Sequence, residues 1–278
     1  VPREVQGKYG ITNGMGLMLK GLWAYRGFIL GTVQREFQLK YRNSLLGAAW
    51  TVLNPLAMIL VYTVIFSQVM RARLPGVDSS FAYSIYLCSG ILTWGLFAEI
   101  TSRATNVFLE NANLLKKLSF PRLTLPMAVV ATACLNFAIV FGLFTLFLLL
   151  TGNFPGLAYL GLLPVLAIHI AFSIGLGVCL GVVNVFFRDV GQFFTIFLQF
   201  WFWLTPIVYP ASVLPDGLRP LMNLNPMAHV THAYQTILVT GQWPDWMSLW
   251  PVTILAAVFC LLARHVFRKR AGEMVDEL

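Results

Sequence analysis

The chain has 278 residues, of which 58% are hydrophobic and only 11% charged, and it carries a formal net charge of +8. Soluble domains hold about a quarter charged residues, so this composition excludes an ordinary water-soluble globule, and a disordered chain would need the opposite balance. Leu45–Val69, Phe81–Ala98, Leu123–Phe187, Val190–Pro215 and Met247–Ala263 contain no Asp, Glu, Lys or Arg, and a bilayer core takes about 20 apolar residues per helix. The third run has room for two spans, with Thr151-Gly152-Asn153-Phe154-Pro155-Gly156 as the turn between them. The expected fold is an all-α membrane protein of six transmembrane helices.

In chain order, residues 1–19 are polar and Gly-rich and read as a flexible N-terminus. The first strongly apolar run starts too far in to be the core of a cleavable signal peptide. Residues 20–42 are amphipathic. Leu22, Ile29, Val33 and Phe37 share one face, while Arg26, Arg35, Glu36 and Lys40 take the other, with Glu36 and Lys40 as an i, i+4 pair. This predicts a helix lying on the membrane interface with its apolar face in lipid; a plain basic anchor before the first span is the alternative.

Residues 43–278 then form the six-span domain. Span one, about Leu46–Val69, contains Asn54-Pro55, a kink or a hinge. Span two, Tyr83–Thr101, carries Glu99 within reach of Arg103. Spans three and four are Leu125–Leu150 and Gly156–Phe186. The fourth holds Gly177 and Gly181 in a small-xxx-small pattern that permits close helix approach, and His169, read as a hydrogen-bonded packing residue. Arg188-Asp189 turns the chain into span five, Gly191–Tyr209.

Prolines 206, 210, 215, 220 and 226 then interrupt the chain too often for a span. Asn225-Pro226 looks like an N-cap with proline at the first helical position, opening a short helix Met227–Val239 that stops before Gly241. Such a helix is too short to cross and is expected to be re-entrant or interfacial. Residues of about 206–245 would then form an outer gate, or an ordinary loop resting on the membrane. Span six, Trp246–Phe267, ends in Arg268-Lys269-Arg270.

With both termini cytoplasmic, 16 basic residues fall inside (Arg3, Lys8, Lys20, Arg26, Arg35, Lys40, Arg42, Arg103, Lys116, Lys117, Arg122, Arg188, Arg264, Arg268, Lys269 and Arg270) and 3 outside (Arg71, Arg73, Arg219). That asymmetry follows the positive-inside rule, so the basic charge serves topology and anionic headgroups, not nucleic acid. Cys88, Cys134, Cys179 and Cys260 lie singly in apolar runs and read as small packing residues, without metal-ligand spacing.

The chain has no phosphate-binding loop, no dinucleotide fingerprint, no CxxC and no HExxH. His229 and His232 lack a nearby third ligand. Asp78, Asp216 and Asp245 are scattered in outer loops. No catalytic constellation, cofactor site or metal site is expected. The spans are almost free of charge, which argues against ion-coupled transport and places the energy source outside this chain. Aromatic rings are abundant instead. Phe193, Phe197, Phe200 and Trp201 recur on one face of span five, which continues to Tyr209, and span one adds Trp50, Tyr62 and Phe66. Such faces suit the weakly apolar faces of sugar rings, although Trp and Tyr also crowd membrane interfaces.

The segment Arg35-Glu36-Phe37-Gln38-Leu39-Lys40-Tyr41-Arg42-Asn43-Ser44-Leu45-Leu46-Gly47-Ala48-Ala49-Trp50, followed by Asn54-Pro55-Leu56, resembles the opening of polysaccharide-exporting ABC permeases. Asn111-Ala112-Asn113-Leu114-Leu115-Lys116-Lys117-Leu118-Ser119-Phe120-Pro121-Arg122 and Leu224-Asn225-Pro226-Met227 are similar to that family too; Arg35-Glu36 stands where Arg-Asp is more usual. The resemblance implies an inner-membrane homodimer with two separate cytoplasmic ATPase subunits that bind ATP and Mg. The cargo would be a lipid-linked polysaccharide of O-antigen type, moving between the subunits. Arg35, Glu36, Lys40, Tyr41 and Arg42 would belong to a gate helix. Glu110, Asn113, Leu114, Leu115, Lys116 and Lys117, in a loop of about 105–122, would couple to the ATPase, with Leu114 and Leu115 as its apolar knob. Capsule or teichoic-acid export, or a drug or lipid exporter of the same plan, are the alternatives. A membrane-embedded enzyme would need acidic or His residues at the headgroup planes, which are missing.

Overall fold

The computed structural model describes residues 25–40, 49–65, 81–117, 123–211, 215, 217, 219–270 and 273–277, and within these residues it has helices and no strand. The helices are α1 (Arg26–Lys40), α2 (Trp50–Thr63), α3 (Ala82–Glu110), α4 (Ala112–Lys117), α5 (Thr124–Leu150), α6 (Leu162–Phe186), α7 (Asp189–Trp203), α8 (Arg219–Leu224), α9 (Pro226–Gln235), α10 (Trp246–Arg270) and α11 (Glu273–Glu277). A 3-10 turn, Gly156–Gly161, leads into α6, and a π turn, Thr236–Thr240, prolongs α9. Four of these segments, α3, α5, Gly156–Phe186 and α10, are long and apolar enough to cross a bilayer.

The first and fifth expected spans come out differently. α2 is bounded on both sides by residues outside the description, so the full reach of Leu46–Val69 is not covered. Its helix continues through Pro55 without a break. α7 stops at Trp203, short of the expected Tyr209. Its 15 residues cover only about 22 Å at 1.5 Å per residue. The cause is Pro206, which has no N–H for the Phe202 carbonyl and whose ring would clash there. Thr205 N–H takes that carbonyl instead, at 3.2 Å, and the chain leaves the helix. α3 departs the other way and continues past Thr101 to Glu110, so Glu99 and Arg103 lie well inside it.

The glycines of α6 set the packing. A Cβ on Gly181 would lie 2.5 Å from the Ala104 carbonyl oxygen, and one on Gly177 2.7 Å from Ala104 Cβ. On the opposite side a Cβ on Gly175 would meet the Cys260 backbone nitrogen at 2.9 Å. Thus α6 is wedged between α3 and α10 at backbone contact. Three buried clusters result, the smallest of them Leu96, Ile100 and Ala133. One, around Phe97, Phe144, Phe172, Met227, Tyr234 and Ile237, fills the half where α9 enters the bundle. Another, around Phe108, Leu115, Val182, Phe267 and Met274, fills the end where α3, α6 and α10 finish. Lys116, Arg188, Arg264, Arg268, Lys269 and Arg270 gather at that second end, called the basic end below.

His169 is wholly buried, but neither ring nitrogen has a hydrogen-bond partner among the described residues. It is held instead by rings, Phe97 at 6.4 Å and Tyr234 at 6.0 Å between centroids, so the expected hydrogen bond is replaced by stacking. Of the cysteines, Cys88 is buried and Cys260 is exposed.

Replacing Gly181 by Ala is expected to cost about 1–3 kcal/mol by overpacking. Gly142→Ala, in α5 with nothing within 4 Å of the added methyl, should be neutral or gain up to about 1 kcal/mol from helix propensity. Thermal denaturation of the two purified variants in detergent measures the contrast.

Candidate transport and coupling surfaces

At the basic end, Asn111 joins α3 to α4. Its N–H and its side-chain amide both donate to the Val107 carbonyl, at 3.2 and 2.8 Å, and its own carbonyl accepts from Leu114 and Leu115 N–H at 3.0 Å. This satisfies the Val107 carbonyl, one of the last four of α3, and restarts the helix at once. The turn fixes which residues of α4 face out. Glu110, Asn113 and Lys116 are exposed. Leu115 is 6% exposed and belongs to the basic-end cluster, with Leu114 packed half-buried against it. The expected apolar knob is therefore turned inward, because this end of the bundle has apolar surface of its own to cover. The Lys117 side chain lies outside the described residues.

α1 packs along α5. Val33 is buried, Ile29 and Phe37 half-buried, and Leu30 and Leu39 exposed. The Ile29–Val33–Phe37 face is thus turned toward the bundle; Leu22 is outside the description. Glu36 lies on this inner side. Both its carboxylate oxygens accept from Arg103 Nη2, at 2.7 and 2.8 Å; the expected pairing with Lys40 lies outside the described residues. Arg103 Nη1 also reaches Glu99 at 3.3 Å, and Asn136 Nδ2 donates to Glu99 Oε1 at 2.8 Å. Each charged side chain is about one-third exposed. The cluster borders an open cavity of about 510 Å³ together with Phe37, Leu39 and Thr132. Arg35 is exposed, while the Lys40 side chain, Tyr41 and Arg42 lie outside the description. Sequence spacing shows Glu99 and Arg103 as an i, i+4 pair, but nothing local signals Glu36 or Asn136 as their partners.

The aromatic positions divide. On α7, Phe193, Phe197 and Phe200 are 69%, 40% and 66% exposed and form an outward ridge, with Phe193 and Phe197 stacked at 6.4 Å. Trp201 turns into the bundle. It meets Phe97 at 5.1 Å and Trp94 at 6.1 Å, and its Nε1 donates to Asn225 Oδ1 at 2.9 Å. Trp50 is exposed on α2, whereas Tyr62 lines a narrow apolar crevice between α2 and α3; Phe66 is outside the description.

The segment after α7 is pinned by groups that its prolines leave needing partners. Tyr83 donates to the Val208 carbonyl at 2.6 Å. Tyr86 Oη lies 2.9 and 3.0 Å from the Pro206 and Tyr209 carbonyls, and Gln235 Nε2 donates to Pro206 at 3.3 Å. Tyr209 itself donates to the Trp203 carbonyl. Asn225 caps α9 through Met227 N–H at 3.0 Å, with Pro226 at the first position, and Gly241 closes the π turn at φ +65°, as the sequence predicts. Asp78 and Asp216 are outside the description, and Asp245 caps α10 through Met247 N–H. His229 and His232 bond to the Asn223 carbonyl and to Thr236 respectively.

Arg103→Ala is expected to leave Glu36 and Glu99 facing one another and to loosen α1, with faster amide exchange across residues 26–40. Glu36→Gln should loosen it less. The double variant should be less loosened than Arg103→Ala alone, because Glu36→Gln removes one of the two like charges that Arg103→Ala leaves unpaired, so the two effects do not add.

The comparisons agree with this architecture. The chain is 31% identical over 263 residues to the O-antigen export system permease protein RfbA of Myxococcus xanthus, covering 94% of this chain and 99% of that one. It is 29% identical over 208 residues to the protein of the same name from Klebsiella pneumoniae, covering 74% and 78% of the two chains. It is 21% identical over 242 residues to the polysialic acid transport protein KpsM of Escherichia coli, covering 87% and 92%. Residues 29–239, from α1 to the π turn after α9, match the model of the ABC-2 type transporter, and this multi-pass membrane chain belongs to that family.

Proposed function

We propose that the chain is the permease subunit of an ATP-driven exporter that moves lipid-linked O-antigen polysaccharide across the bacterial inner membrane. The observation that carries this is the similarity to the Myxococcus xanthus O-antigen permease over nearly all of both chains. Two copies form a homodimer with the channel between them. Two cytoplasmic ATPase subunits bind ATP and Mg and dock at the exposed Glu110, Asn113 and Lys116 of the basic end. α2 and α7, with the residues flanking them, complete six passes, and α9 is a re-entrant helix beneath the outer gate. Both termini are cytoplasmic, in keeping with the basic asymmetry.

The ridge Phe193–Phe197–Phe200 suits the channel wall. A sliding polymer needs many weak, interchangeable contacts, and ring contacts of about 1 kcal/mol each give hold without arrest. Trp201 then acts as the brace behind the ridge, tying it to Asn225 and the outer segment. The likeness to the polysialic acid transport protein favours a second reading, capsule export, with the same machinery.

Deleting the gene should abolish surface O-antigen and leave any capsule intact. Loss of capsule alone would select the second reading, and an unchanged surface would overturn both. Phe193→Ala, Phe197→Ala and Phe200→Ala should each slow export in part, and the triple variant more, when surface glycan is measured per folded permease. Losses that track protein level alone would place the ridge against lipid or subunit core.

A further inference from the structure

Beyond Arg268-Lys269-Arg270, α11 carries a deeply buried side chain, Met274, at 1% exposure. Met274 joins the same cluster as Val107, Phe108, Leu115, Val182 and Phe267, and α11 lies against both α4 and α6. An ion pair between Arg270 and Glu273 links α10 to α11, while Glu273 and Glu277 stay exposed. A short terminal segment gains little from its own helix formation, so its position rests on Met274. The same cluster holds Leu115, the anchor that decides which way α4 presents Asn113 and Lys116.

We propose that α11 is a wedge for α4: Met274, filling the cluster beside Leu115, positions α4 for the ATPase subunit. This rests on the reading that α4 docks that subunit. α4 is six residues long, too short to hold its own orientation. Asn111 fixes its start, but the side facing the bundle must be packed if its outer face is to be presented at a constant angle. Met274 and Leu115 supply that packing from the inner side, where an unbranched thioether fits irregular space well. Met274 touches no partner in this scheme and is a positioning residue.

The test uses the full-length permease with its ATPase subunit, reconstituted in lipid nanodiscs. Four permeases are compared: wild type, Met274→Ala, Met274→Leu and Lys116→Glu. ATPase affinity per folded permease and thermal stability of the permease alone are both measured. Met274→Ala should weaken ATPase binding about tenfold, equivalent to about 1.4 kcal/mol at one well-placed contact. Met274→Leu, similar in volume, should restore most of it. A lower melting temperature with unchanged affinity in Met274→Ala would overturn the inference and reduce Met274 to core packing. Lys116→Glu separates the two layers. If it weakens binding while Met274→Ala does not, only the wedge fails. If neither variant changes affinity, docking at α4 fails, and the wedge fails with it.

Discussion

The backbone contact between α6 and its neighbours is the constraint on which the rest of the structure depends. In lipid, apolar surface gains little by turning away from its surroundings, so helices associate through close packing and polar contacts. Gly177 and Gly181 bring α6 against Thr101, Ala104 and Phe108 of α3, and Gly175 brings α10 against its other side. Asn184, one turn beyond Gly181, uses the short distance. Its amide donates to the Thr105 carbonyl at 3.0 Å, and its carbonyl accepts from Gly191 N–H at 2.7 Å, so the start of α7 is tied to the α3–α6 seam. A Cβ on Gly191 would collide with Asn106 and Asn184. One seam of small residues therefore places α3, α6, α7 and α10 together.

With α3 fixed, its length becomes functional geometry. Twenty-nine residues make a rod of about 44 Å that touches every feature described above. Near its start, Tyr83 and Tyr86 hold the proline-broken segment after α7. Further along, Trp94 and Phe97 receive Trp201, and Arg103 receives Glu36. At its end Asn111 hands the chain to α4. The irregular segment is tolerated because the carbonyls of Pro206, Val208 and Tyr209 are met by Tyr83, Tyr86 and Gln235 from packed helices, as a low-dielectric setting requires.

Much of the plan was legible because it is written in local patterns. Four of the spans, the turn at 151–156, the cap at Asn225-Pro226 and the stop at Gly241 follow from run length, proline geometry and the left-handed preference of glycine, each a property of a few adjacent residues. The small-xxx-small pattern was visible as well, although only the fold says which helix it meets. What was hidden lies across large sequence separations. The Glu36–Arg103 pair joins residues 67 positions apart. An amphipathic helix shows the same period whether its apolar side meets lipid or protein, so the period alone does not reveal the packing of α1 on α5. Leu114-Leu115 between polar neighbours looked like a projecting knob, but the nearby apolar ends of α3, α6 and α10 make an inward position the stable one. The early end of α7 follows from Pro206 read as a helix breaker one turn downstream of Phe202, a rule that an unbroken apolar run obscures.

Charge placement follows from the same packing. Lys116, Arg188, Arg268, Lys269 and Arg270 lie at or beyond the ends of α4, α6 and α10. Arg103 lies seven residues short of the end of α3, in a helix long and apolar enough to cross a bilayer, where an unpaired guanidinium would be costly. Two carboxylates share it, and Asn136 in turn steadies Glu99. The triad of Glu36, Glu99 and Arg103 has a net formal charge of −1, so one carboxylate is always the more weakly held, and the 3.3 Å contact identifies it as Glu99. If α1 moves away, Arg103 still has Glu99 on its own helix as a partner. An ion pair within α3 therefore backs up the ion pair between α1 and α3.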